Sequence, residues 1–326
     1  MEMAEGIHRV RVPIPFDLEF VNIYLIVGRG GIVLFDCGPK IKETQENLNS
    51  YLQSINKGFH DIKKVIVSHY HLDHYGFSGE LKKLGEPSIV MHENDVPLVD
   101  SADSSFSFWI DQALKSGMPA AYVKEIQKIY DLVPGMISHA HVDEMVQDGQ
   151  EVFIDGEVYE VIWTPGHSPG HICLYNRERK FAFTGDHLLD EITPNPGDPA
   201  FGSVIGENSL ERYMDSLNKL KGYDMDFAFP AHGNTVEDPR KRVDEILNHH
   251  EERLDHVLDV MRDGYETAYD VSMKMMWVEN TILGSDLPDS EIPLALVEAA
   301  IHLELLRKRE KVIRIFKEPH LLFKKV

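Results

Sequence analysis

A chain of 326 residues with 43% hydrophobic side chains is long enough for one large domain beside a small one, and it can bury a sizeable core. Its 54 acidic against 33 basic residues leave a formal charge of −21, which opposes polyanions and anionic membrane surfaces at long range. Only Cys37 and Cys173 are present, so no disulfide framework is implied; no apolar run approaches a membrane span, and the first residues carry neither a basic nor an apolar leader segment. The expectation is a cytoplasmic protein with no membrane partner.

Residues 7–14, 20–27 and 32–35 read as strands, with Gly28 and Gly30-Gly31 turning the second into the third. The third runs into Asp36-Cys37-Gly38-Pro39, a carboxylate at a strand end before a sharp stop. Leu48, Tyr51, Leu52 and Ile55 then share one face at helical spacing. The β-branched run 62–67 reads as a buried strand and leads directly into Ser68-His69-Tyr70-His71-Leu72-Asp73-His74. A short helix over 76–84 and a strand over 88–91 complete a β-β-β-α-β-α-β order, which implies a mixed sheet with helices on its outer faces. From 93 to about 140 the pattern becomes helical, with Phe106, Phe108, Trp109, Ile110, Leu114, Tyr122, Val123, Ile126, Ile129 and Tyr130. These residues suit the apolar side of a helical hairpin. Because the insertion springs from the strand just after the histidine cluster, a lid over an apolar substrate is the second reading.

Strands resume at 151–154 and 158–163, joined by Asp155-Gly156, a hairpin-turn pair. The second ends in Thr164-Pro165-Gly166-His167-Ser168-Pro169-Gly170-His171. A hairpin over 172–175 and 180–183 ends in Thr184-Gly185-Asp186-His187, followed by a proline-rich loop at 193–199. Leu210, Tyr213, Met214, Leu217 and Leu220 mark an amphipathic helix, and a strand over 225–229 ends in Pro230-Ala231-His232-Gly233. Beyond Pro239, helices are expected to about 262, over 267–277 and over 293–310, with a terminal hairpin at 312–316 and 321–323. The domain expectation is therefore 1–238, with the helical insertion at about 93–140, and 239–326.

Strand after strand thus ends in a metal-type residue, which collects these side chains at one edge of the sheets. Neutral imidazole and carboxylate are donors for borderline divalent metals. The candidates are His69, His71, Asp73, His74, His167, Asp186 and His232. One zinc ion takes roughly three or four protein ligands, so seven candidates suggest two divalent ions sharing a carboxylate. Zinc is the first expectation, although iron and manganese suit the same donors. His171, four residues beyond His167, is a candidate either to reach the substrate pocket or to hydrogen-bond a neighbour from behind. No glycine-rich nucleotide loop and no nucleophile elbow argues for other chemistry.

The His69-Tyr70-His71-Leu72-Asp73-His74 motif, followed by His167, Asp186 and His232, resembles the metallo-β-lactamase superfamily along residues 7 to about 235. The resemblance implies an α/β fold, a four-layer αβ/βα sandwich with the metals at one edge. It implies one metal on His69, His71 and His167, another on Asp73, His74 and His232, and Asp186 bridging them. Asp36 matches the family's Asp-x-Gly aspartate, a partner for metal histidines, and Asn22 and Tyr24 match a structural Asn-x-Tyr pattern. The stretch 164–173 is similar to that of glyoxalase II, a thioester hydrolase, and an Asp at 186 favours the binuclear hydrolases over β-lactam turnover. The C-terminal order resembles the small winged-helix-like tail of lactamase-like protein 2 relatives rather than a glutathione-binding tail.

The function this implies is a binuclear hydrolase that uses a metal-bridging hydroxide on an ester, thioester or lactone, with Asp73 moving a proton. A small-molecule acyl compound is the expected partner, with a homodimer as an open possibility. The alternative is a metal-dependent RNA nuclease, or nucleic-acid binding through the C-terminal domain. Arg307, Lys308, Arg309, Lys311 and Arg314 raise that alternative, but they also suit the solvated basic end of a helix, and the chain's acidity disfavours nucleic acid.

Overall fold

The computed structural model describes residues 1–14, 18–99, 102–123, 127, 131, 133–197, 209–277 and 281–326. The chain forms two compact units. The first comprises Met1–Asp100, Leu132–Pro194 and Ser216–Val243; the second comprises Ser101–Asp131, Asn195–Asp215 and Asp244–Val326. The units therefore interleave along the chain and do not follow one cut at 238.

The first unit is built on two sheets. One carries seven strands in chain order: β1 (Glu2–Ala4), β2 (Ile7–Pro13), β3 (Phe20–Gly28), β4 (Gly31–Phe35), β5 (Ile62–Ile66), β6 (Ser88–His92) and β7 (Glu144–Val146). Pairing is antiparallel from β1 to β4 and parallel from β4 to β7. The other sheet comprises β8 (Glu151–Ile154), β9 (Glu157–Trp163), β10 (Ile172–Asn176), β11 (Phe181–Gly185) and β12 (Phe227–Pro230), in the order β12-β11-β10-β9-β8. The β8–β9 turn is the expected Asp155-Gly156 pair, both residues at positive φ (49° and 88°), the conformation that tight hairpins demand.

The sheets pack face to face through Tyr24, Phe35 and Ile66 from one and Phe181, Phe183 and Phe229 from the other. The Tyr24 and Phe183 rings lie 5.2 Å apart, and Phe35 stacks on Phe183 at 5.3 Å. Strands β10 and β11 are buried at every residue, which explains why they read as continuous apolar runs rather than alternating ones. Removing one such ring costs about 3–5 kcal/mol. Outer helices cover the sheets. Helix α1 (Lys42–Ser54) lies against β2, and α3 (Ser78–Gly85) against β5, with the one-turn α2 (Leu72–Tyr75) before it.

Two further helices are the one-turn α4 (Val96–Val99) and the longer α5 (Ala102–Lys115). Trp109 and Ala113 of α5 are core residues of the second unit, packed with Leu254, Val257, Leu296 and Leu303. Trp109 is therefore ordinary core, and Phe108 is exposed. The side chain of Phe106, together with Ile126, Ile129 and Tyr130, lies outside the described residues. The same unit holds part of α6 (Ser209–Leu220), most of α7 (Pro239–Val260), α8 (Ala268–Ser272) and α9 (Ile292–Lys308). It ends in the hairpin of β15 (Val312–Lys317) and β16 (His320–Lys325). The helix expected over 267–277 stops early. Thr267 and Asp270 cap its start reciprocally, but Met276 and Trp277 leave it as β13 (Met276–Trp277) to pair with β14 (Ile282–Leu283).

Candidate metal site

The site is built at the ends of β4, β5, β9, β11 and β12, all in the first unit. Asp36, just past β4, takes a left-handed backbone (φ 63°), a strain of roughly 1–3 kcal/mol for a non-glycine residue. The strain places its carboxylate under the β5 loop. Ser68 donates to Asp36 from its backbone N–H at 2.7 Å and from its hydroxyl at 2.9 Å, and His74 Nδ1 lies 2.8 Å from the same carboxylate. The histidine motif then turns through α2. Both His74 and Tyr75 donate their N–H to the His71 carbonyl, and this turn brings Asp73 and His74 round beside the preceding histidines.

Three ring nitrogens converge first. His69 Nε2 lies 2.8 Å from His71 Nδ1, and His167 Nε2 lies 3.0 Å from the same atom. A second group follows, with His232 Nε2 at 3.3 Å and His74 Nε2 at 3.5 Å from Asp73 Oδ2. Asp186 faces both groups. Its Oδ2 lies 3.5 Å from His167 and from His74, and its Oδ1 lies 3.4 Å from His232. All seven expected residues are thus brought together. His69, His71 and His167; His69, His74 and Asp186; and Asp73, His74 and His232 each place their donor atoms within 4.8 Å of one another.

The outward nitrogens fix the tautomers. Ser68 Oγ, having given its proton to Asp36, accepts from His69 Nδ1 at 3.0 Å. His74 Nδ1 donates to Asp36, and His232 Nδ1 to the Phe20 carbonyl at 2.8 Å. Each ring then turns an Nε2 lone pair inward, as metal-holding histidines do. Inside, His74 Nε2, His232 Nε2 and Asp186 Oδ1 are buried and make no hydrogen bond, although they are only 3.3–3.5 Å from other donor atoms. Buried polar atoms left without hydrogen bonds are costly and need a partner. Lone pairs aimed at a common point fit a cation, which satisfies all of them at once.

The charges agree. Burial and the neighbouring imidazoles push His69 well down and His71 to about 3, so both are neutral donors. Burial acts against the charged form of His232 too, but Asp186 and Asp73 outweigh it and raise it to about 10. His74 is raised in the same way by Asp73, Asp186 and Asp36. Asp73 and Asp186 are held well below the usual carboxylate range, with His74 and His232 overcoming their burial. The second group therefore demands positive charge. A bound cation supplies it in place of those protons.

His171 is fully buried, and both of its ring nitrogens are engaged. Its Nε2 accepts the Asp186 backbone N–H at 3.1 Å, which puts its proton on Nδ1, 2.8 Å from the Thr164 hydroxyl. No ring nitrogen remains to offer a substrate, so of its two sequence readings the geometry favours holding Asp186 from behind. Asn22 and Tyr24 act on the His232 loop. Asn22 Nδ2 donates to the Pro230 and Gly233 carbonyls at 3.0 and 3.1 Å, and the Tyr24 hydroxyl to Pro230 at 2.8 Å. Asp95, fully buried beside Tyr70 and Ser168, went unnoticed in the sequence. Its only local signal is a carboxylate three residues past a strand end.

The Metallo-beta-lactamase superfamily profile matches residues 16–232, and the chain belongs to that superfamily. It is a metallo-hydrolase of a superfamily that binds divalent metals, usually zinc, and it carries candidate His/Asp clusters to hold them. It is 26% identical to the probable metallo-hydrolase YqjP of Bacillus subtilis, over 98% of both chains. It is 28% identical to a beta-lactamase-like protein 2 homolog of Caenorhabditis elegans, over 80% of this chain and 72% of that one. A crystal structure of a metallo-beta-lactamase family protein from Thermus thermophilus superposes with a TM-score of 0.81 at 27% identity, covering 99% of this chain and 100% of the other. A beta-lactamase domain protein from Burkholderia ambifaria shares the fold, with a TM-score of 0.85 at 22% identity over 100% of this chain and 94% of that one. Among the described residues no helix is long and apolar enough to cross a membrane.

Proposed function

We propose that the chain is a binuclear metal-dependent hydrolase of an ester, thioester or lactone. The observation that carries the reading is Asp186, whose carboxylate reaches both donor groups, with Oδ2 3.5 Å from His167 and from His74 and Oδ1 3.4 Å from His232. His69, His71 and His167 would hold one ion, and Asp73, His74 and His232 the other, with Asp186 shared. Such a pair of ions, when bound, supplies an ionised water near neutral pH and neutralises charge developing on the substrate oxygen.

The chain's own residues do the rest. Asp36 and the Phe20 carbonyl keep the proton of His74 and of His232 on Nδ1, so that Nε2 stays a donor. Asp73 is the most accessible of the second group, its side chain 15% exposed against 0% and 2% for His74 and His232. Its Oδ2 faces those rings, which leaves Oδ1 to take a proton and return it to a leaving group.

Acyl substrates are preferred over nucleic acid because four of the five basic tail residues named above are already paired with acids. Lys308 pairs with Glu211, Arg309 with both oxygens of Glu251, and Arg307 and Arg314 with Glu304. Side chains held in this way are poorly placed to neutralise phosphates. The order α7, α8, α9 and terminal hairpin supports reading 239–326 as winged-helix-like without a nucleic-acid role. The test is turnover of a thioester, a lactone and single-stranded RNA by zinc-loaded protein. Acyl turnover that disappears in His71→Ala is expected; salt-sensitive RNA cleavage without acyl turnover would reverse the assignment.

A further inference from the structure

Behind the donor groups lies a carboxylate that neither of them uses. Asp95 follows β6 and is fully buried. Its Oδ1 accepts the Gly170 N–H at 2.5 Å, and its Oδ2 accepts the Ser168 hydroxyl at 2.7 Å and the Tyr70 N–H at 3.1 Å. The donors come from two different loops. Tyr70 sits between His69 and His71, and Ser168 directly follows His167. Asp95 therefore ties the residue between His69 and His71 to the loop that carries His167. None of its three bonds lands next to Asp73, His74 or His232, whose rings are held by Asp36 and Phe20 instead.

The fit is tight. A Cβ at Gly170 would stand 2.6 Å from the Asp95 backbone nitrogen and 2.7 Å from its carboxylate, so that loop closes directly onto Asp95. The bonds lie in a dry setting, where each counts for more than at the surface. Without Asp95, the Tyr70 and Gly170 N–H groups would be stranded in the interior and the two loops would be free to part.

We propose that Asp95 is the positioning residue of the first metal group: it sets the spacing between the His69–His71 loop and the His167 loop, and with it that group's affinity for its ion. None of the Asp95 bonds falls on a residue of the second group. This role rests on the binuclear reading above, and the test separates the two. In the full-length chain, zinc is titrated against a competing chelator, and cobalt(II) is titrated in parallel with visible absorption as the readout. Asp95→Asn is expected to weaken one of two ions by about 10–100-fold, the usual scale for losing a partner behind metal ligands, and to leave the other unchanged. Combination variants identify which ion. With the second group disabled by His232→Ala, adding Asp95→Asn weakens the remaining ion; with the first disabled by His71→Ala, it does not.

Ser168→Ala removes one of the three bonds without stranding a backbone group, and a several-fold loss at the same ion is expected even where Asp95→Asn does not fold. A parent chain that binds a single ion overturns the binuclear reading. A parent that binds two, with Asp95→Asn or Ser168→Ala keeping both at parental affinity or losing both equally, overturns the role of Asp95 alone.

Discussion

Buried histidines occur in both units, and the two that face carboxylates at the strand ends behave oppositely to the pair in the helical core. At the strand ends, His74 and His232 face Asp73 and Asp186, and the carboxylates hold both rings above the ordinary histidine range against the effect of burial. In the second unit, His250 and His302 lie in the helical core with ring nitrogens 3.3 Å apart, and burial pushes His250 well down and His302 to about 4. The near acid there, Glu298, is taken by Arg253 at 2.8 Å. The difference shows what separates a metal site from a buried polar pair. Histidine alone is not enough. It needs an outward acceptor to fix its tautomer and an unspent carboxylate on the inward side.

Breaking the first region should have the larger effect. Asp186→Ala removes the one carboxylate that serves both donor groups, so metal content should fall for both ions together. Turnover should fall by about 10³-fold or more, the scale of losing a principal charge-stabilising element. Metal analysis alongside kinetics checks this, and the loss of only one ion would show that Asp186 is not shared.

The second region should answer to pH rather than to metal. His302 stays neutral in the folded chain down to about 4, whereas in the unfolded chain it takes a proton from 6.5 downward. The unfolded state binds more protons between those values, so stability is complete above 6.5 and is lost as pH falls towards 4, on the order of 3 kcal/mol. Urea midpoints across that window should fall in the parent and fall less in His302→Gln, which should keep its full metal content. Smallest of all should be Arg309→Ala. Its pair with Glu251 is partly exposed, with side chains 40% and 51% accessible, so a cost of no more than about 1 kcal/mol in urea unfolding is expected.

Much of the site was legible because its signal is local. The histidine motif packs four donors into six residues, and the remaining donors each close a strand beside Gly or Pro. Asp36 and the Asp155-Gly156 turn were equally plain, since a strand end and a hairpin announce themselves in a few residues. What escaped depends on distant partners. Asp95 is defined by Tyr70 and Ser168, which are 25 and 73 residues away. Helical periodicity at Trp109 said only that it is buried, and its packing with Leu254 and Leu296 makes it core of the second unit rather than part of a lid. The helix over 267–277 misread an apolar run whose last residues pair as a strand with Ile282 and Leu283.

The shared carboxylate is tested most directly by diffraction from zinc-loaded crystals at the zinc absorption edge. Two anomalous peaks are expected per chain, one among His69, His71 and His167 and the other among Asp73, His74 and His232, with Asp186 between them. A single peak in fully loaded protein, with Asp73, His74 and His232 unligated, would contradict the binuclear site.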